Sequence, residues 1–516
     1  MTNEITRRGM GALAMGTAAL LAGKVAGPAA ALAQGTKQLR IGLREDPDIM
    51  DPTLARSFVG RIVFCSLCDK LFDVNEKLEI VPQLATGYKY EDPKTLLITL
   101  REGVKFHDGE TMDAEAVRYS LMRHLTMSGS FRKGEIGIMD TVEVVDPKTV
   151  RIRLKAPSAP FISQLTDRAG MIISPKAAEA AGKDFGAKPV GTGPFRFVER
   201  VAQDRIVVER FPDYWDKGRI FLDRITYQVI VDSTVRLANL RAGTLDLIEN
   251  VSPTDVKDLK DDRRIKLEIG DGLGYNGITV NQNNGEQSKT PIGQDARVRE
   301  AFDLAIDREA LIQVVYEGMF TPATQAVAPA SPYHDSSRKV VKRDVARAKA
   351  LLAEAKVPTP YKVEIMVANS PEIRQSAEVI QSMVAEAGFD LQIKAVEFAS
   401  GLQAAVRGEF QLYMSAWSGR PDPDGNTWAF MHSKGPQNDG RYNSPETDRI
   451  LDAQREETDP EKRKELFRQL WAQALDKDHF RSYLWYLKNI VAHSPKLQGF
   501  RPMPDGMIRV QDLKVG

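Results

Sequence analysis

The chain has 516 residues, 42% of them hydrophobic, with 71 basic side chains against 70 acidic ones. That length exceeds the ~250–300 residues at which one hydrophobic core stops growing, so two or more lobes are expected. Balanced charge supplies no long-range field for nucleic acid or an anionic membrane, which leaves a small molecule or another protein as the expected partner.

Residues 1–33 read as an export signal. Thr6-Arg7-Arg8-Gly9-Met10 precedes a soft, Gly/Ala-rich run over 11–23, and Ala31-Leu32-Ala33 offers small-residue cleavage before Gln34. The paired arginines resemble the twin-arginine (Tat) signal that exports folded proteins, while Met10 in place of the usual Phe keeps the ordinary secretory route open. No cysteine follows the cleavage point, so no lipid anchor is expected. No later run approaches the ~20 continuous apolar residues of a membrane helix, so the product is expected to be periplasmic and not membrane-spanning.

Residues 39–43 read as a strand, and Asp51-Pro52 opens a loop that holds Ser57, Phe58 and Val59 ahead of the first helix. That helix carries Cys65 and Cys68 among Ile62, Val63, Phe64, Leu67, Leu71 and Phe72, a setting for buried packing, although an oxidising periplasm could join the two thiols. Leu96, Ile98 and Leu100 then alternate with Leu97, Thr99 and Arg101 as a strand does, and Asp108-Gly109 supplies a turn holding His107, expected to bond locally. Asp113 can cap the next helix, Glu115 faces its positive end, and Val117, Leu121 and Leu125 form a buried stripe. Val190-Gly-Thr-Gly-Pro-Phe195 sets glycine freedom beside a proline of fixed φ, as a close crossing of two chains needs.

Gly272-Leu-Gly274-Tyr-Asn-Gly277 matches G-x-G-x-x-G, but Ile278-Thr279-Val280 continues it as a strand, where a dinucleotide site needs a helix amino terminus. Beyond Asp295 helices dominate: Val298, Phe302 and Ala305 share a face, Asp307 can cap a turn and Gly318 suits a stop. Residues 363–367, a helix opened by Ser370-Pro371 and ended by Gly388, and residues 391–396 make a βαβ unit. Catalytic patterns are missing from the sequence. The six histidines never pair at ligand spacing, and neither a G-x-S-x-G elbow nor a G-x-x-x-x-G-K phosphate loop occurs, so no catalytic residue, metal or cofactor is expected.

The strongest binding candidate is the loop Ser415-Ala-Trp-Ser-Gly-Arg-Pro-Asp-Pro-Asp-Gly-Asn-Thr-Trp428. Trp417 offers a flat apolar wall, Ser418 and Gly419 close backbone contact, and Arg420 a planar cationic fork, while two prolines stiffen the loop.

The phrase LREGVKFHDG with its acidic-capped helix, VGTGPF with Asp213-Tyr-Trp215 downstream, and the Trp417 loop together resemble the family 5 solute-binding proteins of bacterial ABC importers, which carry dipeptides, oligopeptides, glutathione, nickel chelates and opines. The resemblance spans nearly all of the chain after residue 33. It implies an α/β, two-lobed periplasmic-binding-protein fold (class II-like, cluster C) with an extra inserted subdomain. Lobe I would comprise 34–75, 190–285 and 486–516, the insertion 76–189, and lobe II 286–485. It also implies a monomer that closes on a peptide-like ligand and delivers it to an inner-membrane ABC permease. Tyr275 and Asn276 would lie where the chain crosses between lobes, and Ser57, Phe58 and Val59 align with another ligand-facing segment.

Dipeptide-binding members place an Asp after W-x-G to take the ligand's ammonium. Here Arg420 stands in that position. Either Asp422 takes over the ammonium or Arg420 faces a ligand carboxylate, because a buried site cannot lightly exchange anion for cation. Glutathione, opines, oligosaccharides and nickel complexes stay open as cargo, and the phrase from Ala492 to Phe500 resembles glutathione-binding members. Rival readings of another class are a secreted hydrolase and a periplasmic chaperone.

Overall fold

In the computed structural model, which describes Lys37–Gly516, the strand Gln38–Leu43 buries Leu39, Ile41 and Leu43 completely and belongs to an eleven-stranded mixed sheet. The export signal expected over residues 1–33 lies outside the described residues. Strand Arg224–Val229 runs parallel to Gln38–Leu43 on one side, with Arg205–Arg210 and Phe195–Val201 added antiparallel beyond it; Leu247–Ile248 runs parallel on the other. At the far end of the same sheet Tyr361–Ala368 and Phe389–Val396 are parallel and joined by helix Pro371–Ala385, the expected βαβ unit. Leu412–Trp417 pairs with Tyr361–Ala368.

Two long antiparallel strands join these ends: Lys266–Val280, of 15 residues, and Arg481–His493, of 13. The second of them serves the cores of both lobes. Ile278, Val280, Leu484 and Trp485 pack with Val363, Ile365 and Phe389 in one lobe, whereas Val491 packs with Leu39, Ile41 and Phe64 in the other. Between the halves the register slips: Asp271 faces Lys488 but Tyr275 faces Tyr486, so Gly272-Leu273-Gly274 bulges opposite Leu487 alone. A Cβ on Gly272 would lie 2.8 Å from the Leu487 carbonyl oxygen, and one on Gly274 2.2 Å from that of Trp417. The G-x-G-x-x-G run is therefore a bulge at the crossing between lobes.

A separate four-stranded antiparallel sheet, in the order Ala85–Asp92, Thr95–Leu100, Thr149–Leu154, Met139–Asp146, has its own core around Leu96, Ile98, Val117 and Leu121. Helix Ala114–Thr126 packs into that core, and Asp113 accepts a hydrogen bond from the Ala116 amide at 3.0 Å. The turn before it docks on the first lobe, where His107 Nε2 donates to the Gly193 carbonyl at 2.9 Å and the Gly191 amide donates to Nδ1 at 3.3 Å. This corrects the expectation of a locally bonded histidine. Burial pushes its pKa down to about 4 and keeps the ring neutral. Gly191 and Gly193 admit no side chain because Leu67 backbone atoms lie 2.3 and 2.5 Å from where their Cβ atoms would be, which is the close crossing the VGTGPF phrase implied.

Ser57 caps helix Phe58–Leu67 by accepting from the Gly60 amide, so Phe58 and Val59 stand in the first helical turn and not in the preceding loop. Cys65 and Cys68 are free thiols, and burial pushes Cys65 up to about 11. Among the described residues no helix is long and apolar enough to cross a membrane.

Gly274→Ala is expected to destabilise the chain by about 1–3 kcal/mol or more, the usual cost of forcing an extra group into a packed interior. Gly270→Ala in the same strand, where nothing lies within 4 Å of the added Cβ, should cost far less. Denaturant unfolding of the two variants checks the difference.

Candidate ligand-binding site

A cavity of about 740 Å³ lies where the sheet passes between the lobes. The crossing strands contribute Asn276, Thr279, Arg481 and Trp485 to its lining; the first lobe contributes Arg44, Glu45 and Phe58, and the second Phe398, Tyr413, Trp417 and Ser418. The strands put their side chains there because the bulge ends one pairing register and starts the next, turning Asn276 toward the gap.

Several polar contacts tie the second lobe to the rest of the chain beside this cavity, Ser233 with Glu372 and Gln203 with Glu397 among them. Arg56 Nη2 meets Asp439 Oδ2 at 2.6 Å, Arg420 Nε meets Asp167 Oδ2 at 2.6 Å, and Arg61 Nη1 donates to Ser418 Oγ at 3.0 Å. Asp167 also takes Arg61 Nε on its other oxygen at 3.1 Å, so one carboxylate is gripped by a guanidinium from each lobe. Burial by itself would raise the Asp167 pKa, but Arg420, Arg61, Arg168 and Arg132 together hold it well below the usual carboxylate range. Burial, reinforced by the like charge of Arg61, pushes Arg420 down to about 10.

These contacts correct part of the site expected from sequence. Trp417 and Ser418 do line the cavity; the Trp417 indole donates to Asn426 Oδ1 at 2.8 Å. Gly419, at φ +79°, lies against Leu273 of the bulge and off the wall. Arg420 also stacks over the Trp417 ring at 4.3 Å, and the carboxylate it faces is the protein's own Asp167 instead of a ligand's. Asp422 is off the cavity wall and is engaged by Arg463, which donates to both of its oxygens at 2.7 Å. Ser57 is occupied as a helix cap and Val59 is fully buried in the first core, so neither reaches the wall. Tyr275 is fully buried too, with its ring 5.1 Å from the Arg481 guanidinium. Asn276 and Phe58 remain on the wall, and Asn276 Oδ1 is buried without a hydrogen-bond partner among the described residues.

Sequence reasoning passed over Arg481. Its Nη2 reaches only Ser415, at 3.3 and 3.4 Å, and its Nε has no partner among the described residues. The available signal was a cation heading a strand whose first half, Tyr483 to Leu487, is aromatic and apolar. Glu45, two residues past the end of the first strand, carries a pKa pushed up to about 7, first by burial and then by the nearby charges of Glu249, Asp48 and Glu397 against the easing effect of Arg44. Among the described residues no group of three or more His, Cys, Asp or Glu side chains is placed to hold a metal ion.

Comparison with known proteins gives a consistent picture. Residues 79–439 match the bacterial extracellular solute-binding proteins, family 5 middle region. The glutathione-binding protein GsiB of Salmonella paratyphi A is 30% identical over 529 aligned positions, covering 98% of each chain. Among solved structures, the periplasmic binding protein DppA of Helicobacter pylori, in complex with the peptide STSA, superposes with a TM-score of 0.85 at 25% identity over 93% of this chain and 98% of that one. The binding protein AgaA of A. tumefaciens R10, in complex with agropinic acid, gives 0.84 at 25% identity over 93% and 99%.

Asp167→Asn leaves Arg61 and Arg420 facing each other without their shared carboxylate. An unpaired buried charge costs about 3–5 kcal/mol, so ligand affinity is expected to fall by about a hundredfold or more; calorimetric titration measures it, and unchanged affinity would separate this contact from closure. Glu45 predicts a pH effect of the opposite sign from an ordinary carboxylate. Its pKa is higher folded than unfolded, so the stability it contributes is complete below the ordinary Glu value of ~4.3 and is lost as pH rises through about 7. Thermal melts of Glu45→Gln across that range should show a flatter pH dependence than those of the natural chain.

Proposed function

The chain belongs to the family 5 bacterial extracellular solute-binding proteins, and on that footing we propose that its cargo is a peptide-class solute, a small peptide or a related amino-acid derivative. As a member of that family it is the solute-capturing component of an ABC importer and hands its cargo to a membrane permease. Its α/β fold is the two-lobed fold of periplasmic binding proteins.

The cavity between the lobes carries this reading. At about 740 Å³ it falls within the ~300–1,000 Å³ typical of sites for one small molecule, and both lobes and both crossing strands contribute to its wall. A ligand touching both faces stabilises the closed arrangement by its differential contacts and so reports its own presence as a change of shape. Peptide-class cargo is favoured by the mixture on the wall: the rings of Phe58, Phe398 and Trp417, the unpartnered amide oxygen of Asn276, and charged groups of both signs. The relatives bind chemistry of this kind, glutathione in GsiB and a tetrapeptide in DppA. We assign ligand contact to Trp417, Ser418, Asn276 and Phe58, with capture and release and no bond made or broken. The division into lobes at 34–75 plus 190–285 plus 486–516, an insertion over 76–189, and 286–485 follows the same reading, as does export with removal of residues 1–33.

Calorimetric titration with di- and tripeptides, glutathione and opine-type acids, followed by mass analysis of the recovered solute, tests it. The expected result is saturable one-to-one binding of at least one of them, returned chemically intact. Conversion of the solute would identify a hydrolase, and weak unselective binding of unfolded chains a chaperone; either would overturn the proposal.

A further inference from the structure

We propose that the cavity selects an amino-acid-derived solute of net positive charge, its carboxylate received by Arg481 on the crossing strand and an ammonium group by Glu45 of the first lobe. This rests on the capture role above and adds which charges the ligand must carry, and where. Arg481 is only 7% exposed, lines the cavity, and has no carboxylate within ion-pair distance among the described residues. Rings of Tyr275, Tyr483 and Phe430 lie 5.1, 5.8 and 6.0 Å from its guanidinium and hold it in place, while its Nε has no partner. A buried guanidinium supported by aromatic rings but left without an anion is arranged for one that arrives with the ligand.

Glu45 is the opposite case. It stands on the wall facing Arg44 as its cation, and Arg44 is already directed at Glu249, whose Oε1 accepts the Arg44 amide at 2.7 Å and whose Oε2 lies 3.7 Å from the Arg44 guanidinium. The other charged groups around it, Asp48, Glu249 and Glu397, are all anionic, so its carboxylate gains most from an incoming ammonium. Tyr413 lines the same cavity as both anchors and feels the charge of each, so Glu45 and Arg481 border one shared space.

The remaining wall charges decide the sign. Arg56 is held by Asp439, Asp46 by Arg200 and Arg44 by Glu249, so these cancel locally. What is left beyond the two anchors is mainly acidic, Asp232, Glu372, Glu378 and Glu397 against Arg374. A rim of one sign raises the local concentration of the opposite charge and penalises its own.

Titration calorimetry of the full chain with lysyl-alanine, its form acetylated on both amines, its C-terminal amide, and glutamyl-alanine tests the assignment. Each cap leaves one buried protein charge unpaired, and we expect each to weaken binding about thirtyfold or more, with glutamyl-alanine weaker than lysyl-alanine. Arg481→Gln should abolish the penalty for the amide while keeping that for the acetyl group, and Glu45→Gln should do the reverse. Both caps tolerated by the natural chain, or glutamyl-alanine preferred, would overturn the assignment and leave the capture role standing, a result that does not require any variant to fold. Loss of binding for every peptide tried, with other solutes bound, would overturn the peptide reading itself.

Discussion

The structure depends on one sheet that runs unbroken through two hydrophobic cores. Strands Lys266–Val280 and Arg481–His493 are hydrogen-bonded to each other on both sides of the gap, so the lobes cannot part there without breaking main-chain pairing. Movement has to occur where the pairing is already interrupted. Gly272-Leu273-Gly274 supplies that place, and the steric case for glycine there is severe, because the bulge packs on backbone atoms of Leu487 and of the Trp417 strand. The same interruption turns Asn276 into the gap, so the hinge and part of the binding wall are a single local feature.

Charge then decides which residues serve the ligand and which serve the closed shape. The pairs Arg56 with Asp439 and Arg420 with Asp167 are buried and bridge the lobes, and pairs of this kind contribute little net free energy compared with apolar packing of the same volume. Their effect is on specificity of arrangement: a lobe orientation that separates Asp167 from its two guanidinia leaves charges without partners, and only one orientation satisfies them. Asp422 with Arg463 does the same inside the second lobe, fixing the loop that presents Trp417 and Ser418. Arg481 and Glu45 stand apart because the protein offers neither of them a counter-ion in close contact, and a buried charge in that condition is costly unless something else arrives to meet it.

Most of the fold was legible because its determinants are local. Alternation marked Leu96, Ile98 and Leu100, a four-residue repeat marked Val117 and Leu121, and Asp113 announced its helix through a cap that the structure contains. Gly191 and Gly193 were legible through the glycine–proline phrase that holds them, whereas the backbone that crowds Gly274, at Trp417, lies far along the chain. The site was legible only in part. Trp417, Ser418, Asn276 and Phe58 fall on the wall, but the fate of Arg420 and Asp422 is set by Asp167 and Arg463, partners far along the chain that no local pattern reveals. His107 misled for that reason too: its short polar surroundings suggested local bonding, whereas its partners lie 84 and 86 residues away. Arg481 escaped notice because a charged residue at the head of a strand ordinarily faces solvent, and only the crossing geometry buries it.

The distance between the lobes tests this account most directly. Spin labels at Glu286 of the second lobe and Lys217 of the first, both away from the cavity, report it by pulsed electron resonance. The account predicts a broad, longer distribution without solute that collapses to one short distance when a bound solute spans the wall. Identical distributions with and without a saturating, calorimetrically verified ligand would contradict it.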